Sequence, residues 1–68
     1  MPAYSFVVES DIGKNHDVRW SYLPDHQRAH HYAHLIIQDL KTRPEYRDPN
    51  LKMIVRNRDG EVIHIIPF

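Results

Sequence analysis

Histidine is the residue type with the greatest chemical potential in this sequence, since six of the 68 residues are histidines. His26, His30 and His34 recur every four residues, so their rings would lie along one flank of an α-helix. The pair His30 and His34 has the H-x-x-x-H spacing that lets two imidazoles reach one metal ion. A zinc-protease motif needs a glutamate directly after its first histidine, but His31 stands there.

A zinc site usually has at least three protein ligands. The chain has no cysteine, and no cluster of histidine and acidic residues follows the helix. We therefore predict no native metal and no cofactor, with His30 and His34 as the only candidate ligands. The favoured interpretation is a solvated helix flank, and the alternative is adventitious metal bound across the two rings during purification.

Protonation offers the histidines a different role. With a reference pKa of about 6.5, six imidazoles would raise the net charge from zero towards about +6 on acidification. Charged histidines at helical spacing repel one another. We predict that stability falls below about pH 6, although a role as a pH sensor does not follow from this.

The sequence argues against an enzyme. His64 falls on an apolar strand face, either as a neutral core-edge histidine with one bonded nitrogen or as a general base, but no motif supplies a nucleophile beside it. The only glycines, Gly13 and Gly60, lie in turns, so there is no phosphate-binding loop. A chain of 68 residues also leaves little room for a water-excluded cleft.

Alternating apolar residues predict an amino-terminal hairpin over residues 3–22. Tyr4, Phe6 and Val8 would share one face of its first strand. Val18, Trp20 and Tyr22 would share a face of the second strand. We expect the aromatic residues of this hairpin to lie in the core or at its edge.

A helix is predicted over residues 25–42. Asp25 can accept hydrogen bonds from the first turn, and Leu23 precedes it at the position of a staple residue. Pro44 prevents the helix from continuing. Its apolar stripe has helical spacing and consists of Ala29, Tyr32, Ala33, Ile36, Ile37 and Leu40.

A second hairpin is predicted over residues 51–68, around a two-residue type I′ turn at Asp59-Gly60. This register places Arg58 opposite Glu61 and Val55 opposite His64. The predicted core face carries Leu51, Met53, Val55, Val62, His64, Ile66 and Phe68. The opposite face carries Lys52, Ile54, Arg56, Arg58, Glu61, Ile63 and Ile65.

These elements predict one domain, residues 1–68, of the α+β class. The order is β-β-α-β-β, with a four-stranded antiparallel sheet and one helix packed on one face. A right-handed crossover from the second strand to the third favours the spatial strand order 2-1-3-4.

Residues at the ends of the predicted elements and in the turns also form a recurring skeleton. It consists of Met1-Pro2-x-Tyr4-x-Phe6, Leu23-Pro24-Asp25 before an alanine-containing helix, Asp59-Gly60, and Pro67-Phe68 at the end. From end to end, the chain resembles a family of small bacterial proteins classed as a domain of unknown function. The resemblance implies the fold and no catalytic residue. The histidine-rich helix departs from the acidic, alanine and arginine residues usual in that family.

One helix cannot cover both faces of the sheet, so Ile54, Ile63 and Ile65 should lie on the uncovered face. Contiguous exposed apolar surface usually marks an interface. We therefore predict a homodimer formed through these three isoleucines. The alternative is an isolated apolar stripe shielded by the stems of Lys52, Arg56 and Arg58.

The favoured function is thus a non-catalytic, self-associating interaction domain with an unidentified protein partner. A nucleic-acid-associated regulator is the alternative, with Lys52, Arg56 and Arg58 contacting phosphates and Arg19 with Trp20 or Tyr22 nearby. The net charge of zero argues against that alternative, because counterion release supplies much of such affinity. With no export leader and no apolar run of about 18 residues, we expect a cytoplasmic protein without a membrane segment.

Overall fold

A computed structural model describes the backbone of residues 1–68 and all side chains except those of Asp17 and Val18. Its four strands form one antiparallel sheet in the order β2-β1-β3-β4. The elements are β1 (Ala3–Glu9), β2 (Asn15–Tyr22), α1 (His26–Leu40), a short 3-10 helix (Pro44–Tyr46), β3 (Lys52–Asn57) and β4 (Val62–Pro67). The predicted α+β class and the predicted order of the elements are confirmed.

The predicted stripe of α1 faces the sheet. Asp25 caps the helix, since its carboxylate accepts a hydrogen bond of 2.8 Å from the backbone N–H of Arg28. The helix ends at Leu40, two residues before the predicted limit. Just after this end, the Thr42 hydroxyl donates a hydrogen bond of 2.7 Å to the carbonyl oxygen of Asp39 in the last turn.

The core lies between α1 and the sheet. Its buried members are Tyr4, Phe6, Val8, Ala29, Ala33, Ile37, Leu40, Leu51, Met53, Val55 and Ile66. Small alanines at the contact let the helix backbone approach the sheet closely. The predicted core positions in β1 and β3 are therefore confirmed.

The expectation that Trp20 and Tyr22 belong to this core is wrong, because these side chains are 58% and 71% exposed. Tyr4 pairs with Ser21 and Ser5 pairs with Trp20. Residues directly opposite each other share a face, so Trp20 lies on the side of the sheet away from α1. Val18, predicted to share the face of Trp20 and Tyr22, lies outside the described side chains.

The predicted type I′ turn at Asp59-Gly60 is also wrong. Gly60 N–H donates to the carbonyl of Asn57 at 3.1 Å, and Asn57 N–H donates to the carbonyl of Glu61 at 2.9 Å, closing a three-residue loop. Gly60 has a φ of +84°, whereas no described non-glycine residue has a positive φ. This is the type I turn followed by a left-handed glycine that three-residue hairpins favour. Glu61 therefore lies opposite Asn57 and not opposite Arg58.

A bulge in β4 changes which side chains face α1. Val55 pairs with His64 as predicted, but the next residue, Arg56, pairs with Val62. The extra residue reverses the faces of the two positions before His64. Ile63 packs against the helix-side core, and Val62 is 48% exposed. The predictions that Ile63 faces away from α1 and that Val62 faces the core are both wrong.

Candidate functional site

Four histidines meet where α1 crosses β4. The ring centroid of His30 lies 4.7 Å from that of His34 and 4.9 Å from that of His64. The ring of His26 is 6.5 Å from that of His64. The sequence places the three helical histidines on one flank, but only the register of β4 reveals that His64 joins them.

His64 is the half-buried member of this cluster, with its Nε2 2.8 Å from the carbonyl oxygen of His26. A carbonyl can only accept, so Nε2 carries the proton and donates it. The contact ties β4 to the first turn of α1. It matches the core-edge histidine with one bonded nitrogen that the sequence favours over a general base.

Like charge and partial desolvation act on His30, the central member. Desolvation lowers the pKa of His30 below its ordinary value, and the nearby imidazoles of His34, His64 and His31 lower it further. The neutral form of His30 therefore persists to a lower pH than that of an isolated histidine.

Within the described side chains, no group of three or more histidine, aspartate or glutamate residues is arranged to hold a metal ion. The predicted candidates His30 and His34 lie side by side on the helix surface, both exposed to solvent.

The second candidate site is the sheet surface away from α1, here called the open face. Its central residues are Val7 and Ile54, which pair across β1 and β3 and are both buried. Ile65 pairs with Ile54 and is 59% exposed. Of the three predicted interface residues, Ile65 presents surface, Ile54 lies beneath its neighbours at 5% exposure, and Ile63 is on the other side.

Two further rows flank the Val7, Ile54 and Ile65 row on the open face. The register places Trp20, Ser5, Arg56 and Val62 across the sheet on one side of it. It places Glu9, Lys52 and Pro67 on the other side. The open face thus has an apolar centre and charged residues in both flanking rows.

The basic residues of the predicted nucleic-acid surface do not share one face. Lys52 and Arg56 lie on the open face, and Lys52 Nζ is 3.5 Å from Glu9 Oε1. Arg58 is in the exposed β3–β4 loop. Arg19 is wrongly placed by the prediction, since it pairs with Phe6 on the helix side and its Nη1 donates to the Tyr32 hydroxyl at 3.4 Å.

A cleft of about 170 Å³ opens on the helix side, with Phe6 and Met53 among the residues that line it. Hydrogen bonds from Ser21 and then Arg19 hold the pKa of Tyr32 below its ordinary value. At the rim of the cleft, Asp39 Oδ2 is 3.7 Å from Arg43 Nη2. The cleft is smaller than the roughly 300–1,000 Å³ of typical ligand pockets.

Comparison with protein-family models, with curated proteins and with solved structures finds no match to this chain. The resemblance to the small bacterial family stays a prediction. In the part of the chain that the structure describes, the helix is too short and too polar to cross a bilayer.

Proposed function

We propose that this chain is a small non-catalytic domain that self-associates by packing the open faces of two copies against each other. The observation that carries the proposal is the row of Val7, Ile54 and Ile65 on the open face, over which no described helix or strand packs and in which Ile65 is 59% exposed. The exposed side chains of Trp20 and Val62 extend this apolar surface. An uncovered apolar sheet face is stabilised when a second sheet packs on it.

The open face is complementary to a second copy of itself. A two-fold axis parallel to the strands and midway between β1 and β3 would place each residue of β1 over its paired residue of β3. The position of Val7 in one copy would lie over that of Ile54 in the other, with both side chains buried beneath their own neighbours. Glu9 of one copy would meet Lys52 of the other, so both ends of this row gain an opposite charge.

The same axis places the outer strands over each other. Trp20 in β2 and Val62 in β4 lie in one row at opposite sides of the sheet. Each would therefore cover the other in the partner copy, and the tryptophan ring would lose its exposure to water. Arg56, in the same row, would lie over Ser5 of the partner copy, so its guanidinium would have to reach the edge of the interface to stay in water.

A nucleic acid fits this face less well than a second copy. The net charge is zero, and Lys52 is already within ion-pair distance of Glu9. Arg19 lies on the opposite side of the sheet. Phosphate binding gains most of its affinity from releasing counterions around many cations, and the open face offers few.

The skeleton from Met1 to Phe68 supports membership in the small bacterial family that the chain resembles. The lack of cysteine is in keeping with a reducing compartment such as the cytoplasm.

Light scattering over a wide range of protein concentration tests the proposal. The wild-type chain should have twice the 8.2 kDa mass of one chain. Ile65→Lys should be monomeric, because it places a charge in the apolar row. Leu35→Lys is the matched control, since Leu35 is 49% exposed on α1 and should tolerate lysine without loss of the dimer.

Two results would overturn self-association through the open face. One is a monomeric wild-type chain at every concentration, and the other is an Ile65→Lys dimer. A monomer that binds labelled single-stranded DNA in a salt-dependent manner, and loses that binding in Arg56→Gln, would instead establish the nucleic-acid alternative.

A further inference from the structure

We propose that the cleft between α1 and β2 is a binding site for a small carboxylic acid that carries a single aromatic ring. The cleft lies on the helix side of the sheet and has a volume of about 170 Å³. The open face is on the other side of the sheet, so this site is separate from the proposed interface between two copies and does not depend on it.

The inside of the cleft is apolar. Phe6 and Val8 of β1 and Met53 of β3 line it, and all three side chains are buried. Leu35 of α1 also lines the cleft and is 49% exposed. An aromatic ring seated there would remove part of the leucine surface from water, which favours binding.

Two polar side chains stand at one end of the cleft. Arg19 of β2 and Tyr32 of α1 both line it, and Arg19 Nη1 donates to the Tyr32 hydroxyl at 3.4 Å. The Tyr32 oxygen accepts in this contact, so the hydroxyl can donate its own proton to a ligand. The planar guanidinium of an arginine matches the geometry of a carboxylate. A carboxylate beside both residues would therefore meet a hydroxyl donor and a positive charge.

The charges around the cleft favour an anion. Its lining contains two arginines, Arg19 and Arg43, and one aspartate, Asp39, which gives a net charge of +1. The pKa of Tyr32 indicates the same preference, since hydrogen bonds from Ser21 and then Arg19 lower it below its ordinary value. Negative charge is thus stabilised at the Tyr32 oxygen, where the carboxylate would bind.

The dimensions of the cleft limit the size of the ligand. Tyr32 and Asp39 are seven residues apart along α1, which corresponds to about 10 Å of helix. Drug-sized ligands occupy larger pockets, of roughly 300–1,000 Å³. One ring joined to a carboxylate by a short chain fits this length and volume, and 3-phenylpropanoate is therefore the probe.

An NMR titration of the full chain with 3-phenylpropanoate tests the site, with the methionine methyl groups labelled. Met53 lines the cleft, whereas the only other methionine, Met1, is 79% exposed and lies outside it. The ring current of the bound phenyl group should shift the Met53 methyl resonance in a saturable manner. The Met1 resonance should not move.

Two variants test the polar end of the cleft. Tyr32→Phe removes the hydroxyl but keeps the ring that packs edge-on against Phe6 at 5.2 Å, and it should bind about tenfold more weakly. Tyr22→Phe is the matched control and should leave the affinity unchanged, because Tyr22 is 71% exposed and lies outside the cleft. Arg19→Gln should also bind about tenfold more weakly or worse, whereas Arg58→Gln in the β3–β4 loop should bind as the wild type does.

The uncharged analogue 3-phenylpropan-1-ol tests the need for a carboxylate. It should bind about tenfold more weakly than the acid. Equal affinity for the alcohol and the acid would overturn the proposal, since the apolar interior alone would then explain binding. The proposal also fails if the Met53 methyl does not shift in a millimolar excess of the acid, or if Tyr32→Phe and Arg19→Gln both bind it as tightly as the wild type.

Discussion

Gly60 and Gly13 occupy the same position in two loops of the same kind. Gly13 has a φ of +81° and donates its N–H to the carbonyl of Ser10 at 3.0 Å, as Gly60 does to Asn57. Ser10 N–H in turn donates to the carbonyl of Lys14 at 2.9 Å. Both hairpins therefore turn through three residues and end on a left-handed glycine.

Replacing Gly60 by alanine tests the backbone contribution of this position alone. A Cβ atom there would meet no atom within 4 Å, so no contact is lost or strained. We expect Gly60→Ala to lower the free energy of unfolding by about 1–2 kcal/mol, because L-residues with a side chain disfavour a positive φ. Urea denaturation measures the change.

Gly60→Asn is the control for that substitution, because asparagine tolerates the left-handed region better than alanine does. Gly60→Asn should lower the free energy of unfolding by less than Gly60→Ala does. Equal stability of Gly60→Ala and the wild type would show that the loop relaxes to another turn.

Single residues explain why one loop could be predicted only in part. Asp59-Gly60 indicates a hairpin but fits both a two-residue and a three-residue loop. Asn57 decides between them, since its Oδ1 accepts hydrogen bonds from the N–H groups of Asp59 and Glu61 at 3.0 and 2.9 Å. The helix cap was predictable, because Asp25 acts only on residues within the next turn.

At the scale of the elements, periodicity predicts the strands and the helix but cannot locate an inserted residue. Val62 and Ile63 are both branched and apolar, so exchanging their faces leaves the hydrophobic pattern of β4 intact. The same limit applies to β2, because its pairing with β1 shifts by one residue between Val7 and Val8. The composition of the candidate interface was therefore predicted only in part.

The open face contains a buried layer of its own, and Ile54 tests it. Ile54→Ala should lower the free energy of unfolding by about 2–4 kcal/mol, the usual cost of truncating a buried aliphatic side chain. Ile65→Ala is the matched control on the same face. It should cost far less at low protein concentration, because Ile65 is exposed in one chain.

Chemical denaturation of both variants provides the comparison. An Ile54→Ala variant as stable as Ile65→Ala would show that the central row contributes little to the stability of a single chain.

The contact between α1 and β4 should make stability depend on pH. The pKa of His30 is lowered in the folded chain, so the unfolded chain binds a proton more readily between the two pKa values. Stability should be constant above the unfolded pKa of about 6.5, fall as the pH drops through it, and level off below the lowered folded pKa.

Denaturation midpoints between about pH 7.5 and 5.5, measured with a chelator present, check this expectation. His30→Gln should show a shallower decline than the wild type, because its side chain does not titrate. A wild-type midpoint that does not change over this range would contradict the electrostatic account of the cluster.

For the whole molecule, the proposed two-fold axis makes a geometric prediction. Trp20 and Val62 lie on the outer strands, about 14 Å apart across three strand spacings within one chain. Face-to-face packing would bring each within about 10 Å of the other in the second copy. The chain has no cysteine, so introduced thiols can be cross-linked without interference.

A mixture of Trp20→Cys and Val62→Cys chains should therefore react with a short bis-maleimide to give cross-linked heterodimers, as seen by denaturing electrophoresis. Either variant alone should give few cross-linked dimers, because the same position in the two copies lies on opposite sides of the axis. The yield should fall when Ile65→Lys is added to both chains. Equal cross-linking of the single variants would reject this axis.

Both outer strands carry an inserted residue, and β4 also ends at Pro67, which has no N–H to donate. The free N–H and C=O groups along either edge strand would therefore not align with those of an incoming extended peptide. Sideways growth into ribbons or fibrils is therefore obstructed. Concentrated solutions should stay clear and free of thioflavin-binding material, because assembly has no route to continue.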